Sequence, residues 1–381
     1  MKNLLKITVS SITLSCMMLF SGVNPAYAQK SKPKKYVVIG YFGGYRGLID
    51  TTLVNASKLT HINYAFVDVQ HNRAWLTNLK TDSTNFRNLN LLKKKNPDLK
   101  IMISIGGWAW SGNFSDAVLS DTSRRAFAAS AVDIIRQYDL DGVDIDWEYP
   151  AQVGAGNKFR PEDKQNYTLM FRDLREELDR MEKQTGKKLL LTTAVGGFKR
   201  FLDLTEMGKA QAYLNYINLM TYDYFQDSLG ISVHHTNLYP SKMYQGEDNA
   251  DKTVAEYVAA GVPAGKLVMG MAFYGRSSLV AENTQNGLGI KTAGKAQGGG
   301  YTMLKDSLMN KNGFKYFRDK DAMAPYLYNA TTRQFISFDD EWSVKSKAEY
   351  VKKKHMGGVM FWEYSSDKKE YLLDAVNKTL K

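Results

Sequence analysis

The chain has a single cysteine, Cys16, inside an apolar run near its start, which excludes a disulfide framework for everything that follows. It also lacks a long uninterrupted apolar segment. The run from Ile7 to Gly22 is too short, and too broken by Ser and Thr, to span a bilayer comfortably. With Lys2 and Lys6 ahead of it and Ala26-Tyr27-Ala28 behind, the run has the order of an export leader, and cleavage is expected before Gln29. Residues 1–28 are therefore read as a signal peptide and 29–381 as the working chain, secreted or periplasmic, without stable membrane insertion. Met17-Met18-Leu19-Phe20 keep the segment apolar past Cys16, where a lipoprotein would turn polar. A basic stripe is missing too. The formal net charge of +12 falls to +10 once the two leader lysines are set aside, but the bases are scattered, often beside acids as in Arg172-Asp173 and Arg175-Glu176. Only short clusters such as Lys93-Lys94-Lys95 and Lys352-Lys353-Lys354 appear, so no nucleic-acid partner is expected. His234-His235 has no further ligands at metal spacing and reads as a loop pair, with no metal site.

What is present is a rhythm. Short β-branched and aromatic runs, Tyr36–Phe42, His61–Val67, Lys100–Ile105, Gly142–Trp147, Leu189–Ala194, Tyr216–Met220, Leu267–Met271 and Gly358–Phe361, alternate with amphipathic stretches such as Ser123–Tyr138 and Pro161–Gln184. Eight strands in this alternation predict an α/β fold, a (β/α)8 barrel of the TIM type, and about 350 residues suffice for its core. The connection from 277 to 338 is too long for a bare loop. With Gly298-Gly299-Gly300 and strand-like pieces at Phe314–Phe317 and Tyr326–Tyr328, it reads as a small α+β insertion between strands seven and eight.

In Gly142-Val143-Asp144-Ile145-Asp146-Trp147-Glu148-Tyr149 the acids alternate with apolar residues, the period of a strand. Asp144, Asp146 and Glu148 must share one face, inward in a barrel, while Val143, Ile145 and Trp147 meet the helices. Asp141 falls on the other parity and is expected to support the strand's start. Carboxylates about 6–7 Å apart along a strand cannot all ionise without cost, so at least one apparent pKa must rise. A carboxyl kept protonated near neutral pH is what a general acid needs, and Glu148, at the C-terminal end, is placed to reach a substrate. A calcium loop would not put Ile145 and Trp147 between its ligands.

At this point the sequence resembles glycoside hydrolase family 18, the family of chitinases and related proteins, whose signature Asp-x-x-Asp-x-Asp-x-Glu is met by Asp141, Asp144, Asp146 and Glu148. Ser104-Ile105-Gly106-Gly107-Trp108, Met220-Thr221-Tyr222-Asp223, Gly270-Met271-Ala272-Phe273-Tyr274-Gly275-Arg276 and Gly357-Gly358-Val359-Met360-Phe361-Trp362-Glu363 are similar to its motifs on strands three, six, seven and eight, in the correct order. The resemblance implies a chitinase that hydrolyses β-1,4 bonds between N-acetylglucosamine units with retained stereochemistry. The nucleophile would be the substrate's own acetamido oxygen, an exception to the two-carboxylate scheme. It implies Glu148 as acid and then base, Asp146 holding the acetamido N–H and passing hydrogen bonding between Asp144 and Glu148, and Tyr222 donating to the acetamido oxygen. Trp362 would floor the sugar at the cleavage point, with Tyr41, Trp108, Met220, Asp223, Tyr274 and Arg276 as further cleft residues. Phe66 is read chiefly as core.

The partners implied are chitin or chitooligosaccharides, met by a monomer with no metal and no organic cofactor. An endo-β-N-acetylglucosaminidase acting on N-glycans and a non-catalytic chitin-binding lectin are the alternatives. Glu148 counts against the lectin, since such relatives usually lack that residue. No separate chitin-binding module or Ser/Thr/Pro-rich linker is visible.

Overall fold

The computed structural model describes residues 35–224, 230–246 and 248–381; the expected leader, residues 1–28, lies outside them. Eight parallel strands close on themselves: β1 (Val37–Gly43), β2 (His61–Gln70), β4 (Lys100–Gly106), β5 (Gly142–Asp146), β6 (Leu190–Gly196), β7 (Tyr216–Met220), β8 (Leu267–Ala272) and β14 (Gly358–Trp362), with β1 paired to both β14 and β2. Each expected strand is found within two residues of its expected ends, apart from the C-terminal extension of β2. There His61–Gln70 runs beyond the barrel rim and folds back on β3 (Arg73–Trp75) as an antiparallel ribbon.

Parity decides what each strand buries. On β5, Val143 and Ile145 are fully buried and Trp147, just beyond, stacks on Phe114 at 5.1 Å and meets Tyr167 edge-on at 5.9 Å. The helix Asp121–Gln137 covers this side with Phe127, Ala128, Ala131 and Ile135. It starts on a capping box in which Ser120 and Ser123 satisfy each other's backbone N–H groups. The helix Asp163–Thr185 adds Tyr167, Phe171, Leu174 and Leu178 and stops at Gly186, whose φ of 71° closes the last turn. Each such side chain contributes roughly 1.5–3 kcal/mol when fully buried, so the shell between strands and helices is the main store of stability. Among the described residues no helix is long and apolar enough to cross a membrane.

Between β8 and β14 lies a second, five-stranded antiparallel sheet, in the order β10 (Thr292–Gly300), β9 (Tyr274–Val280), β13 (Gln334–Ser337), β12 (Ala324–Asn329), β11 (Phe314–Asp319). Its own apolar cluster comprises Val280, Leu288, Ile290, Tyr326, Tyr328 and Phe335. The sheet begins at Tyr274, ahead of the expected 277, because only Phe273 separates β8 from β9. The first two residues of β9 with inward reach, Tyr274 and Arg276, thereby belong to both sheet and barrel mouth.

Candidate active site

Strand register assembles the floor of the site. Ser104, Asp144 and Thr192 are level on β4, β5 and β6, and both hydroxyls donate to Asp144, Ser104 at 2.8 Å and Thr192 at 2.5 Å. Tyr41 on β1 donates its hydroxyl at 2.9 Å and Asn218 on β7 its amide at 3.1 Å. Burial pushes the Asp144 carboxyl up, these four donors pull it back, and it settles at about 6. Tyr41, expected as a cleft residue, thus lies within hydrogen-bond reach of the lowest of the three inward acids.

Asp146, one inward position higher, is buried and its Oδ1 has no hydrogen-bond partner. Burial first, then repulsion from Glu148 and Asp144, holds its carboxyl well above the usual range. Glu148 follows on the same face, partly exposed. Burial raises it to about 7; the Tyr149 hydroxyl draws it down and the charge of Asp223 drives it up. Its backbone is clamped, since Glu148 N–H donates to Ser111 Oγ at 2.8 Å, and Ser111 donates in turn to Gly107 O at 2.9 Å. Gly107 has φ 84°, and a Cβ there would strike the Phe66 ring at 2.4 Å. At the strand's start Asp141 takes the supporting part expected of it. It accepts from Ile101 N–H at 2.8 Å and pairs with Lys93 at 2.7 Å and Lys187 at 3.1 Å.

Across the mouth, after β7, stands the Tyr222–Asp223 corner. The Tyr222 ring lies against β8 where Gly270 leaves room, a Cβ there falling 2.9 Å from Tyr222 Cε1. Its hydroxyl reaches Met360 Sδ at 3.8 Å. Burial first and the surrounding acids second push that phenol well above its ordinary range, keeping it a donor. Asp223, at φ 58°, accepts from Tyr274 OH at 2.6 Å and from Arg276 through Nε at 2.7 Å and Nη2 at 2.5 Å. Burial pushes Asp223 up, but His235 and Arg276 outweigh it and hold the carboxylate well below the usual range.

The apolar part is a continuous set of rings. Tyr41, Phe66, Met220, Tyr222 and Trp362 join one cluster at the barrel mouth. Trp362 stacks on Phe66 at 5.5 Å and 15° and tilts against Tyr41 at 5.8 Å. Tyr45 lies nearly parallel to Phe66 at 6.5 Å, and Trp110 meets its edge at 6.4 Å. Trp108 stands 56% exposed on the turn after β4, 6.3 Å from Tyr149. Non-proline cis peptides at Ala65-Phe66, Glu148-Tyr149 and Trp362-Glu363 sit at the same end of the barrel.

All eleven residues singled out from the sequence thus lie around one end of the barrel. One reading changes, and the structure adds detail to others. Phe66, expected chiefly in the core, is partly exposed inside the ring stack. His234 and His235 are fully buried and each faces a carboxylate, Asp319 at 3.2 Å and Asp223 at 3.4 Å. Tyr45, Trp110, Tyr149 and Ser111 went unnoticed; a rim aromatic within a few residues of a strand's end was the available signal for the first three. Among the described residues no group of three or more His, Cys, Asp or Glu is arranged to hold a metal ion.

Comparison with known proteins agrees with this layout. The model of the family described as glycosyl hydrolases family 18 matches residues 37–367. The chain is 36% identical to Chitinase A1 of Niallia circulans over 97% of its own length and 62% of that protein's. It is 34% identical to Chitotriosidase-1 of Mus musculus, covering 82% of this chain and 68% of that one. Among solved structures, a family 18 N-acetylglucosaminidase from Paenibacillus barengoltzii superposes with a TM-score of 0.84 at 40% identity, over 91% of this chain and all of that one.

Proposed function

The chain belongs to glycoside hydrolase family 18 and is a glycoside hydrolase, and on that premise we propose that it is a chitinase cutting β-1,4 bonds between N-acetylglucosamine units by a retaining, substrate-assisted route. The observation that carries the reading is the contrast among its carboxyl groups. Glu148, at about 7, holds a proton to deliver, whereas Asp223 is committed to Arg276 and Tyr274 and makes a poor nucleophile.

In the first step Glu148 gives its proton to the glycosidic oxygen as the C1–O bond breaks. The carbonyl oxygen of the sugar's acetamido group bonds to C1, giving an oxazolinium ion. Tyr222 donates to that carbonyl oxygen, where charge develops, and Asp146 holds the acetamido N–H, its unpartnered Oδ1 being free to accept. Asp144, with its four donors, anchors the row from below. In the second step the Glu148 carboxylate takes a proton from water as the water attacks C1, and the acetamido group leaves with configuration retained. Trp362 supplies an indole floor for the pyranose, backed by Phe66 and Tyr41. Trp108, Met220, Tyr274 and Arg276 shape the walls.

A fully deacetylated chitosan oligomer must resist cleavage; its ready hydrolysis overturns the acetamido route. Because only protein and substrate groups take part, a chelator should leave the rate unchanged. N-terminal sequencing of exported protein should begin at Gln29, and light scattering should give the mass of one chain.

A second reading, release of single N-acetylglucosamine units, is favoured by the likeness to the Paenibacillus barengoltzii N-acetylglucosaminidase across that protein's whole length. Products from chitin hexamer decide: chitobiose and longer fragments support the chitinase, monosaccharide alone the second reading. Cleavage of a high-mannose glycopeptide in preference to the hexamer points to N-glycans.

A further inference from the structure

We propose that His235 is a positioning residue that sets the Tyr222–Asp223 corner against the rest of the cleft, and that it does so through its Nδ1 alone. The proposal rests on the catalytic reading above for what the corner does, and on geometry for how it is held.

The segment around His235 runs alongside the corner and is stitched to it at three residues. The Asp223 carboxylate and the Asp223 backbone nitrogen both lie 3.4 Å from His235 Nδ1; a neutral ring serves only one of them through that atom, and with its single proton on Nδ1 it donates to the carboxylate. Tyr224 N–H donates to the His235 carbonyl at 3.1 Å. The Thr236 hydroxyl lies 3.2 Å from the Thr221 carbonyl. Asp223 has a left-handed φ of 58°, a conformation that a non-glycine residue keeps only where its surroundings impose it.

The outer side of the segment is anchored just as firmly. His235 N–H donates to Ser337 Oγ at 3.0 Å. Ser337 on β13 is the register partner of Arg276 on β9, the residue that grips Asp223. The contacts therefore close a ring from Asp223 to Arg276, across the sheet to Ser337, and back through His235. Thr236 is fixed in turn by the fully buried pair of Lys347 and Asp339, Lys347 donating to both at 2.6 Å.

Only one ring nitrogen takes part. His235 Nε2 is buried and has no hydrogen-bond partner among the described residues. The charged groups that face the ring are Asp223, Arg276 and Asp339, with the Tyr274 ring 5.3 Å away. A second ring proton would be left buried and unmatched beside a guanidinium, so the imidazole works in its neutral form.

The test uses two substitutions of similar size and opposite reach. Asn places a polar atom where Nδ1 stood; Gln places one where Nε2 stood and leaves the Nδ1 position empty. His235→Gln should lower kcat on a chromogenic chitobioside by about tenfold or more, as expected when a reacting group is displaced by an ångström, with a smaller change in KM. It should also move the basic limb of the pH profile to lower pH, because a displaced Asp223 no longer raises Glu148. His235→Asn should stay within about threefold of the parent. In an Asp223→Asn background, His235→Gln should add no further shift of the limb.

Equal behaviour of the Asn and Gln variants, or a parental limb in His235→Gln, overturns the proposal. Should His235→Gln not fold, the ¹⁵N resonance of His235 Nδ1 in the unaltered ring serves instead: it must move on Asp223→Asn, and a stationary signal overturns the proposal without reference to turnover. Glu148→Gln is measured beside these variants. If it keeps its rate the catalytic reading fails, whereas a dead Glu148→Gln with a parental His235→Gln sinks the His235 inference alone.

Discussion

Asp141 and Glu148 stand at opposite ends of one eight-residue segment, and they live under opposite rules. Both are pushed up by burial. At Asp141 the Ile101 N–H, Lys93 and Lys187 more than reverse the push, and the carboxylate ends below its usual range. At Glu148 no cation among the described residues offsets the push, Asp223 adds repulsion, and the carboxyl ends at about 7. The N-terminal end of the barrel thus spends its charges on holding strands together, and the C-terminal end leaves them uncompensated where a substrate can use the proton. Asp223 sharpens the contrast, for it lies at the same mouth as Glu148 yet is held ionised by Arg276 and His235. Environment, not residue type or depth, separates an acid from a structural anion.

The comparison can be broken in several places. The largest effect is expected at the uncompensated end: Glu148→Gln should fold, retain ligand, and lose on the order of 10³-fold or more in kcat, with binding followed by calorimetry. Tyr222→Phe removes one donor from the developing charge and should cost roughly 10²-fold in kcat, read in steady-state kinetics on chitin oligomers.

The pH profile comes next. With Glu148 required in its protonated form, kcat/KM should fall as pH rises through about 7 and approach a tenfold loss per unit above it. Asp223→Asn should move that limb to lower pH, since a repelling charge is gone; a limb that moves upward contradicts the electrostatic account.

A smaller effect is expected in stability. The folded-state pKa of Glu148 lies above its ordinary value of 4.5, so the folded protein binds more protons across that window and loses stability as pH rises from about 4.5 to 7. Glu148→Gln should therefore unfold a few degrees higher than the parent at pH 8, on the order of 2 kcal/mol, and near the parent at pH 4. Least affected is the compensated end: Lys93→Met should leave kcat within about twofold and cost about 1 kcal/mol in thermal unfolding.

Much of this layout was legible in the residues. The strict alternation from Val143 to Glu148 admits one inward face, and Trp147 packs on Phe114 and Tyr167 as that parity demands. The residues carried over from the family motifs converge because motifs at the ends of successive barrel strands share one rim. Phe66 was harder: an aromatic at a strand's end packs equally well inward or against a neighbouring ring, and only the placement of the Trp362 and Tyr45 rings beside it chooses. His234-His235 gave no periodic or spacing signal at all. Their partners, Asp319 and Asp223, come from 85 residues downstream and 12 upstream, and no local pattern encodes such pairings.

Local chemistry by itself determined the eight-strand rhythm and the inward row of acids, because side-chain alternation along a strand needs no knowledge of distant residues. Tertiary structure alone decided which carboxyl keeps its proton and which is held as an anion. That choice depends on charges brought together by the closing of the barrel and the docking of β9 and β13 at its mouth, and electrostatic energy follows distance in space rather than position along the chain.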